Sequence, residues 1–297
     1  MQIWWNQMRK LPIGIQTSKE TNRNMFPERI ICLSAESADI CDRLGAADRV
    51  AAVSAFAPKS MRAGRAVVGG FSTLKMEEVL PIEPDLVITF SDVQAQISAD
   101  LIRNHYTVLA TNQRSLRGIV EAILLIGRAI GCFNQAEKVA SDFERQLRDL
   151  RRDQEPRPRV YFEEWDEPLI TGIGWVSEAI KLVGGDETIF SRPDAKSARE
   201  RQVESSDVCS ADPQIIFASW CGKPVDLRQI TTRPGWDAIS AVKSGEIYEI
   251  DSADILQPGP RVLEGIKKMS AIIDKWRRKI SCTSPGANLT VDGGTNA

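Results

Sequence analysis

The chain has 297 residues, 42% of them hydrophobic and 26% charged, with a formal net charge of −2. That length buries a substantial core, in one large or two modest domains, and the near-neutral balance offers no basic face to nucleic acid. No run of about eighteen apolar residues is present to span a membrane, and the six cysteines stand singly without a C-x-x-C pair, which argues against a disulfide framework or a zinc cage.

The first 24 residues carry apolar side chains, but Asn6, Gln7, Arg9 and Lys10 interrupt them and no cleavage site follows, so a secretory leader is not expected. Residues 1–24 read as either a dispensable extension or an artefact of the chosen start codon, and the protein as cytoplasmic; a periplasmic or surface location requires a different start. "ERIICL" is then a strand from Glu28 to Leu33. A helix carrying Ile40 and Leu44 follows and stops at Gly45, and a second strand runs from Val50 to Ser54. "STLKMEEVLPI" predicts a short helix capped by Ser72 or Thr73, leading into a strand from Leu86 to Phe90. "SADLIRNHYTVLATN" repeats the helix-then-strand order. Strands that are apolar throughout and alternate with helices predict a parallel sheet covered on both faces.

The second half echoes the first. "DPQIIFASW" restates "EPDLVITFS", with prolines at Pro84 and Pro213, and "RPRVYFEEW" restates "PERIICLSA". The expected fold is α/β, with two Rossmann-like lobes of parallel sheet. Between them, Asn134 and Glu137 have the spacing of a capping box, and Val139, Phe143, Leu147 and Leu150 form one apolar stripe. This predicts a rigid inter-lobe helix within residues 131–156, between a lobe at 25–130 and another at 157–280. The Ser-, Gly- and Thr-rich tail, 281–297, has the composition of a disordered segment. Cys32 and Cys209 read as small core residues.

Enzyme readings find little support. The single histidine, His105, lies in a helix-to-strand connection at the end opposite the strands' carboxyl termini. Phosphate-binding, nucleophile-elbow and zinc-protease motifs are absent. "GIGWVS" lacks the third glycine of a dinucleotide fingerprint. Asp92, Glu164 and Asp166 are the residues available as an acid–base pair, and no ligand spacing supports a metal site.

The element order, the P-D-L and D-P-Q strand starts, the linking helix and "QPGPRVLEGI" resemble the substrate-binding proteins of iron-siderophore and cobalamin importers. These are two-lobed, helix-hinged members of the periplasmic-binding-protein superfamily. "FSDVQAQISADLI", "NQRS", "YFEEWDEPLITGIGWVSEAI" and "SWCGK…RPGW" are most similar to cobalamin-binding proteins, over about Met25 to Lys279. The resemblance implies a monomeric binding protein, not an enzyme, that needs no cofactor and takes a corrinoid as ligand. Alternatives are an iron-siderophore or haem binder, or a cytosolic corrinoid-handling protein or enzyme uncoupled from transport.

In open α/β sheets the ligand lies outside the carboxyl ends of the strands. That rule nominates Glu36, Phe90, Asp92, Gln94, Asn112 and Gln113 in the first lobe, with Phe71 from a long loop. In the second lobe it nominates Glu164, Trp165, Trp220, Cys221 and Gln257, with Trp175 from a loop. A flat macrocycle calls for aromatic faces, and the three tryptophans with Phe71 and Phe90 supply them; the plain alternative is that they plug the lobe cores. Adjacent strand residues face opposite sides, so at most one of Glu163 and Glu164 enters the cleft. Importer-linked relatives carry one docking glutamate per lobe, which pairs with transporter arginines. Glu77 matches the first. The second falls on Ser206, flanked by Glu204 and Asp207, so an ABC permease partner is expected to be held weakly or not at all.

Overall fold

The computed structural model describes residues 25–283, and the readings of 1–24 and of the end of the tail lie outside them. The first lobe runs β1 (Ile30–Cys32), α1 (Ala35–Arg43), β2 (Val50–Ser54), α2 (Lys59–Arg62), β3 (Ala66–Gly69), α3 (Met76–Val79), β4 (Leu86–Phe90), α4 (Ala95–Arg103) and β5 (Val108–Thr111). Its five strands are parallel, in the order β3-β2-β1-β4-β5. Every residue of β1 and β4 is buried, as their unbroken apolar sequence requires for central strands covered on both faces. Ser34 caps α1 through its side chain, and Gly45 ends the segment at φ +73°. Neither Ser72 nor Thr73 caps α3: Lys75 precedes it without a side-chain capping bond, and the Thr73 hydroxyl instead accepts from the Gly70 N–H. Strand β3 escapes the sequence pattern because it is an edge strand with two exposed residues.

Two helices, α5 (Leu116–Ala129) and α6 (Phe133–Leu150), pack against each other and join the lobes. The expected capping box at Asn134 does not form; Cys132 precedes α6, and Asn134 lies inside its first turn. Phe143 is buried, with Val139, Leu147 and Leu150 half-buried on the same stripe.

The second lobe holds β6 (Val160–Asp166), β7 (Leu169–Thr171), α7 (Gly174–Leu182), α8 (Ser205–Ala211), β8 (Ile215–Ala218), α9 (Leu227–Thr231), α10 (Ser240–Ser244), β9 (Ile247–Glu249), α11 (Ser252–Ile255) and α12 (Val262–Thr283). Its sheet order is β7-β6-β8-β9. Strands β6, β8 and β9 are parallel, but β7 is antiparallel to β6, so this sheet is mixed where a purely parallel one was expected. Cys209 is half-buried on α8 rather than a core residue, its thiol 3.7 Å from the Gly235 carbonyl.

The repeated sequence solves one junction twice. Glu83 and Asp212, each before its proline, take left-handed conformations with φ of 47° and 44°. The Arg29 Nε donates to the Glu83 carbonyl at 2.8 Å, and Arg159 Nε donates to the Asp212 carbonyl at 3.0 Å. The residue after each proline then seats the neighbouring strand: Asp85 accepts from the Arg29 N–H at 2.9 Å, and Gln214 from the Arg159 N–H at 3.1 Å.

One apolar cluster reaches from Ile30 and Cys32 through Ile119, Ile123 and Phe143 to Val160 and Phe162. The lobes therefore share a core. At the cleft base Gln113 donates to the Pro258 carbonyl at 2.9 Å, and Glu178 on α7 accepts the Leu116 N–H at 2.7 Å, capping α5 from the other lobe. A Cβ at Gly174 would stand 2.6 Å from the Arg114 carbonyl, and one at Gly259 would stand 2.7 Å from the Glu36 Cβ. Only glycine permits those approaches. Glu178→Ala removes a carboxylate from a helix N-terminus and should cost about 1–2 kcal/mol in denaturant-induced unfolding. An unchanged midpoint would show that the cap does not hold the lobes.

Candidate functional site

The carboxyl ends of both sheets face one cavity of about 360 Å³. Loops after β1 to β5 bring Glu36, Ser54, Phe56, Phe71, Phe90, Asp92 and Arg114 to one wall. The other wall carries Glu164, Ile173, Trp175, Lys196, Arg201, Cys221, Leu256 and Gln257. Of the nominated residues, Glu36, Phe71, Phe90, Asp92, Glu164, Trp175, Cys221 and Gln257 meet there.

Five do not. Gln94 is buried in the first lobe, where it accepts from the Phe90 N–H and donates to the carbonyls of Leu33 and Phe71, stitching three strand-end loops together. Gln113 is committed to Pro258. Asn112 lies outside the cavity and accepts from Arg114 Nε at 3.0 Å. Trp220 is a core residue, 2% exposed, whose indole N–H donates to Glu163 at 3.0 Å. Trp165 lies beside the cavity, donates to the Glu167 carbonyl, and holds the Lys223 ammonium 4.3 Å from its ring centroid. Trp175, though it lines the cavity, is itself 2% exposed and anchored to the Ile255 carbonyl at 2.8 Å. The accessible aromatic surface is thus on the first lobe. Phe56 and Phe71 pack edge-to-face, with centroids 6.3 Å apart and each residue 45% exposed.

The paired glutamates part as strand geometry requires. Glu163 is fully buried and doubly bonded to Arg233, away from the cavity. Glu164 faces the cavity, where Arg201 grips it through two bonds of 2.6 and 2.8 Å and the Ile173 N–H adds a third at 3.1 Å. Across the cleft, Arg114 pairs with Asp92 at 2.6 Å. The Lys196 backbone N–H donates to Glu200 at 2.8 Å, but among the described residues its ammonium makes no salt bridge, unlike the two cavity arginines. Cys221 is exposed overall, but partial desolvation of its thiol at the cavity wall, and secondarily Glu164, push that thiol up. Among the described residues no cluster of three or more His, Cys, Asp or Glu side chains is placed to hold a metal ion. His105 is exposed, between α4 and β5.

Sequence reasoning missed Phe56, Arg114, Lys196 and Arg201. Phe56 follows β2 much as Phe90 ends β4, so applying the strand-end rule to every strand finds it. Arg114 lies in the quoted "NQRS". Lys196 and Arg201 sit in a long irregular loop with no periodic signal.

The periplasmic binding protein profile matches residues 30–253. The chain belongs to the periplasmic binding protein family. It is 26% identical to the vitamin B12-binding protein of Vibrio cholerae, over 82% of this chain and 88% of that protein. It is 25% identical to an uncharacterized ABC transporter substrate-binding lipoprotein of Bacillus subtilis, over 83% and 80%. Among solved structures, the periplasmic vitamin B12 binding protein BtuF of Vibrio cholerae superposes with a TM-score of 0.68 at 25% identity, covering 85% of this chain and 98% of that one. A heme-binding protein, RhuT from Roseiflexus sp. RS-1, superposes with a TM-score of 0.72 at 20% identity, covering 84% and 98%, which bears on the fold alone. This periplasmic binding protein is therefore a substrate-binding protein of the ABC-transporter type, and proteins of that kind are not enzymes.

Two buried carboxyls contribute most clearly to its pH response near neutrality, with Asp39 also raised by burial. Burial raises Glu36 to about 7 and Glu187, in the second lobe, to about 7. In the unfolded chain both lose their protons at ordinary carboxylate pH. The folded state therefore holds protons that the unfolded state has released. Stability should fall as pH rises from about 5 through about 7 and then level off. Denaturant titration across that window checks it, and Glu187→Gln should flatten part of the slope. Stability that climbs with pH there would contradict the assignment.

Proposed function

We propose that the cleft captures a corrinoid, a cobalamin-like metal chelate. The observation that carries this reading is the pairing of the cavity's arginines with its own carboxylates, Arg201 with Glu164 and Arg114 with Asp92. A haem presents two carboxylates, and many ferric siderophores are anionic; such ligands need free cations, and Lys196 alone meets that need among the described cavity residues. A cobalamin is neutral overall and presents an apolar macrocycle face fringed by amides. The Phe56–Phe71 platform and the polar strand ends suit that surface. The vitamin B12-binding relatives support the same reading.

Titration with cyanocobalamin should show one site per chain with quenching of tryptophan fluorescence. The double substitution Phe56→Ala with Phe71→Ala should weaken it by about 1–3 kcal/mol. Hemin should compete poorly. Absence of corrinoid binding at tens of micromolar, or tighter binding of hemin, would replace this reading with a haem or siderophore one.

Transporter docking is proposed to be weakened in this chain. Glu77 is exposed on α3, but the matching second-lobe position is Ser206, which offers no carboxylate to an arginine. Glu204 and Asp207 beside it are engaged at the start of α8, Asp207 accepting the Glu204 N–H at 3.4 Å. A cobalamin permease in nanodiscs should show no ligand-dependent capture of the protein. Tight, salt-sensitive docking lost on Glu77→Ala or Glu204→Ala would overturn this.

A further inference from the structure

The first-lobe wall of the cleft holds two polar groups that the protein itself leaves unsatisfied. Glu36 is 5% exposed and its Oε1 has no hydrogen-bond partner; Ser54 is fully buried and its Oγ has none either. Both line the cavity. Their places are fixed by the backbone. Glu36 sits in the first turn of α1, just past the Ser34 cap, with Gly259 pressed against its Cβ; Ser54 is the last residue of β2. Buried polar atoms are nearly always paired, because an orphan destabilises the fold. Two orphans facing one ligand cavity are groups held ready for the ligand.

Resting on the corrinoid reading, we infer that Glu36 and Ser54 form a carboxamide-reading subsite. The Glu36 carboxylic acid pairs with a primary amide through two bonds, its O–H donating to the amide carbonyl and its own carbonyl accepting the amide N–H. The Ser54 hydroxyl supplies a third bond to the same group. An ionised carboxylate accepts only, so the pairing requires the neutral acid. The surroundings favour the neutral acid below about pH 7. Burial is the main cause that raises Glu36 to about 7; the Ser34 side chain and the Glu36 N–H pull the other way, and Asp39, the neighbouring acid on the same helix, pushes it up. Lys59 and Arg62 on α2 and Arg117, Glu121 and Arg128 on α5, the helices packed on α1, make no salt bridge to it; Arg261, beyond the Gly259 loop, is held by Asp254 at 2.6 Å. A ligand carboxylate placed here meets a proton donor at low pH and a like charge at high pH.

The test is titration of the full chain with cyanocobalamin between about pH 5.5 and about 8.5, together with thermal unfolding of the ligand-free protein. Wild-type affinity should be level below about pH 6 and fall about tenfold above about pH 8. Glu36→Gln restores a donor and an acceptor, so it should keep the low-pH affinity and flatten the profile. Glu36→Leu should lose about tenfold or more in affinity while raising the melting temperature of the ligand-free protein, because it removes a buried orphan. Ser54→Ala should lose several-fold. A flat wild-type profile, affinity of Glu36→Leu within about twofold of wild type, or a Glu36→Leu chain that is also less stable would overturn the subsite and leave the corrinoid reading standing. Failure of wild type to bind cyanocobalamin at any pH would overturn both.

Discussion

The pairing of Glu164 with Arg201 is the interaction on which the cleft depends. Arg201 comes from a loop with little regular structure, and its side chain is 5% exposed. By reaching Glu164 at the end of β6, and the Thr171 carbonyl at the end of β7, it ties that loop to the sheet. The same contact cancels a positive charge that would otherwise face the cavity. With Arg114 paired to Asp92 on the opposite wall, both cavity arginines are matched by carboxylates, and Lys196 is the cation left without a salt bridge among the described residues. Removing either partner of the buried Glu164–Arg201 pair leaves an uncompensated charge facing the ligand, whereas the Asp92–Arg114 pair is exposed and more easily compensated by solvent.

The frame around this cleft is stiff for a physical reason. The lobes share one apolar cluster, and α5, α6 and α12 thread through it. Side chains from one lobe complete the other: Glu178 caps α5, and Gln113 holds Pro258. Two glycines, Gly174 and Gly259, sit where the lobes touch backbone to backbone and backbone to side chain. A ligand entering between the walls therefore meets groups already fixed in place, which lowers the ordering cost of binding.

Much of the fold was legible because its strands are written as closed apolar runs after a proline. The repeated acidic-proline-polar phrase was a readable signal of a repeated junction, and the structure shows why: an arginine and a strand-seating side chain solve it in both lobes. The site was legible where it follows from strand ends, as for Glu36, Phe90, Asp92 and Glu164. It was illegible where side-chain direction decides. Trp220 follows the end of β8 by two residues, at a strand end like Phe90, yet its indole turns into the second-lobe core to satisfy Glu163. Arg201 could not be found from periodicity, because its partner is 37 positions away and its loop carries no pattern. The antiparallel β7 was hidden for a similar reason: three residues form too short a run to declare a direction.

The most direct test of a neutralised cleft is the salt dependence of ligand affinity. Cyanocobalamin binding measured by calorimetry from about 50 to about 500 mM sodium chloride should change by no more than about twofold, since the cavity arginines are matched by carboxylates and the ligand carries no net charge. A steep loss of affinity with salt, or anionic chelates binding more tightly than cyanocobalamin at low salt, would contradict the account.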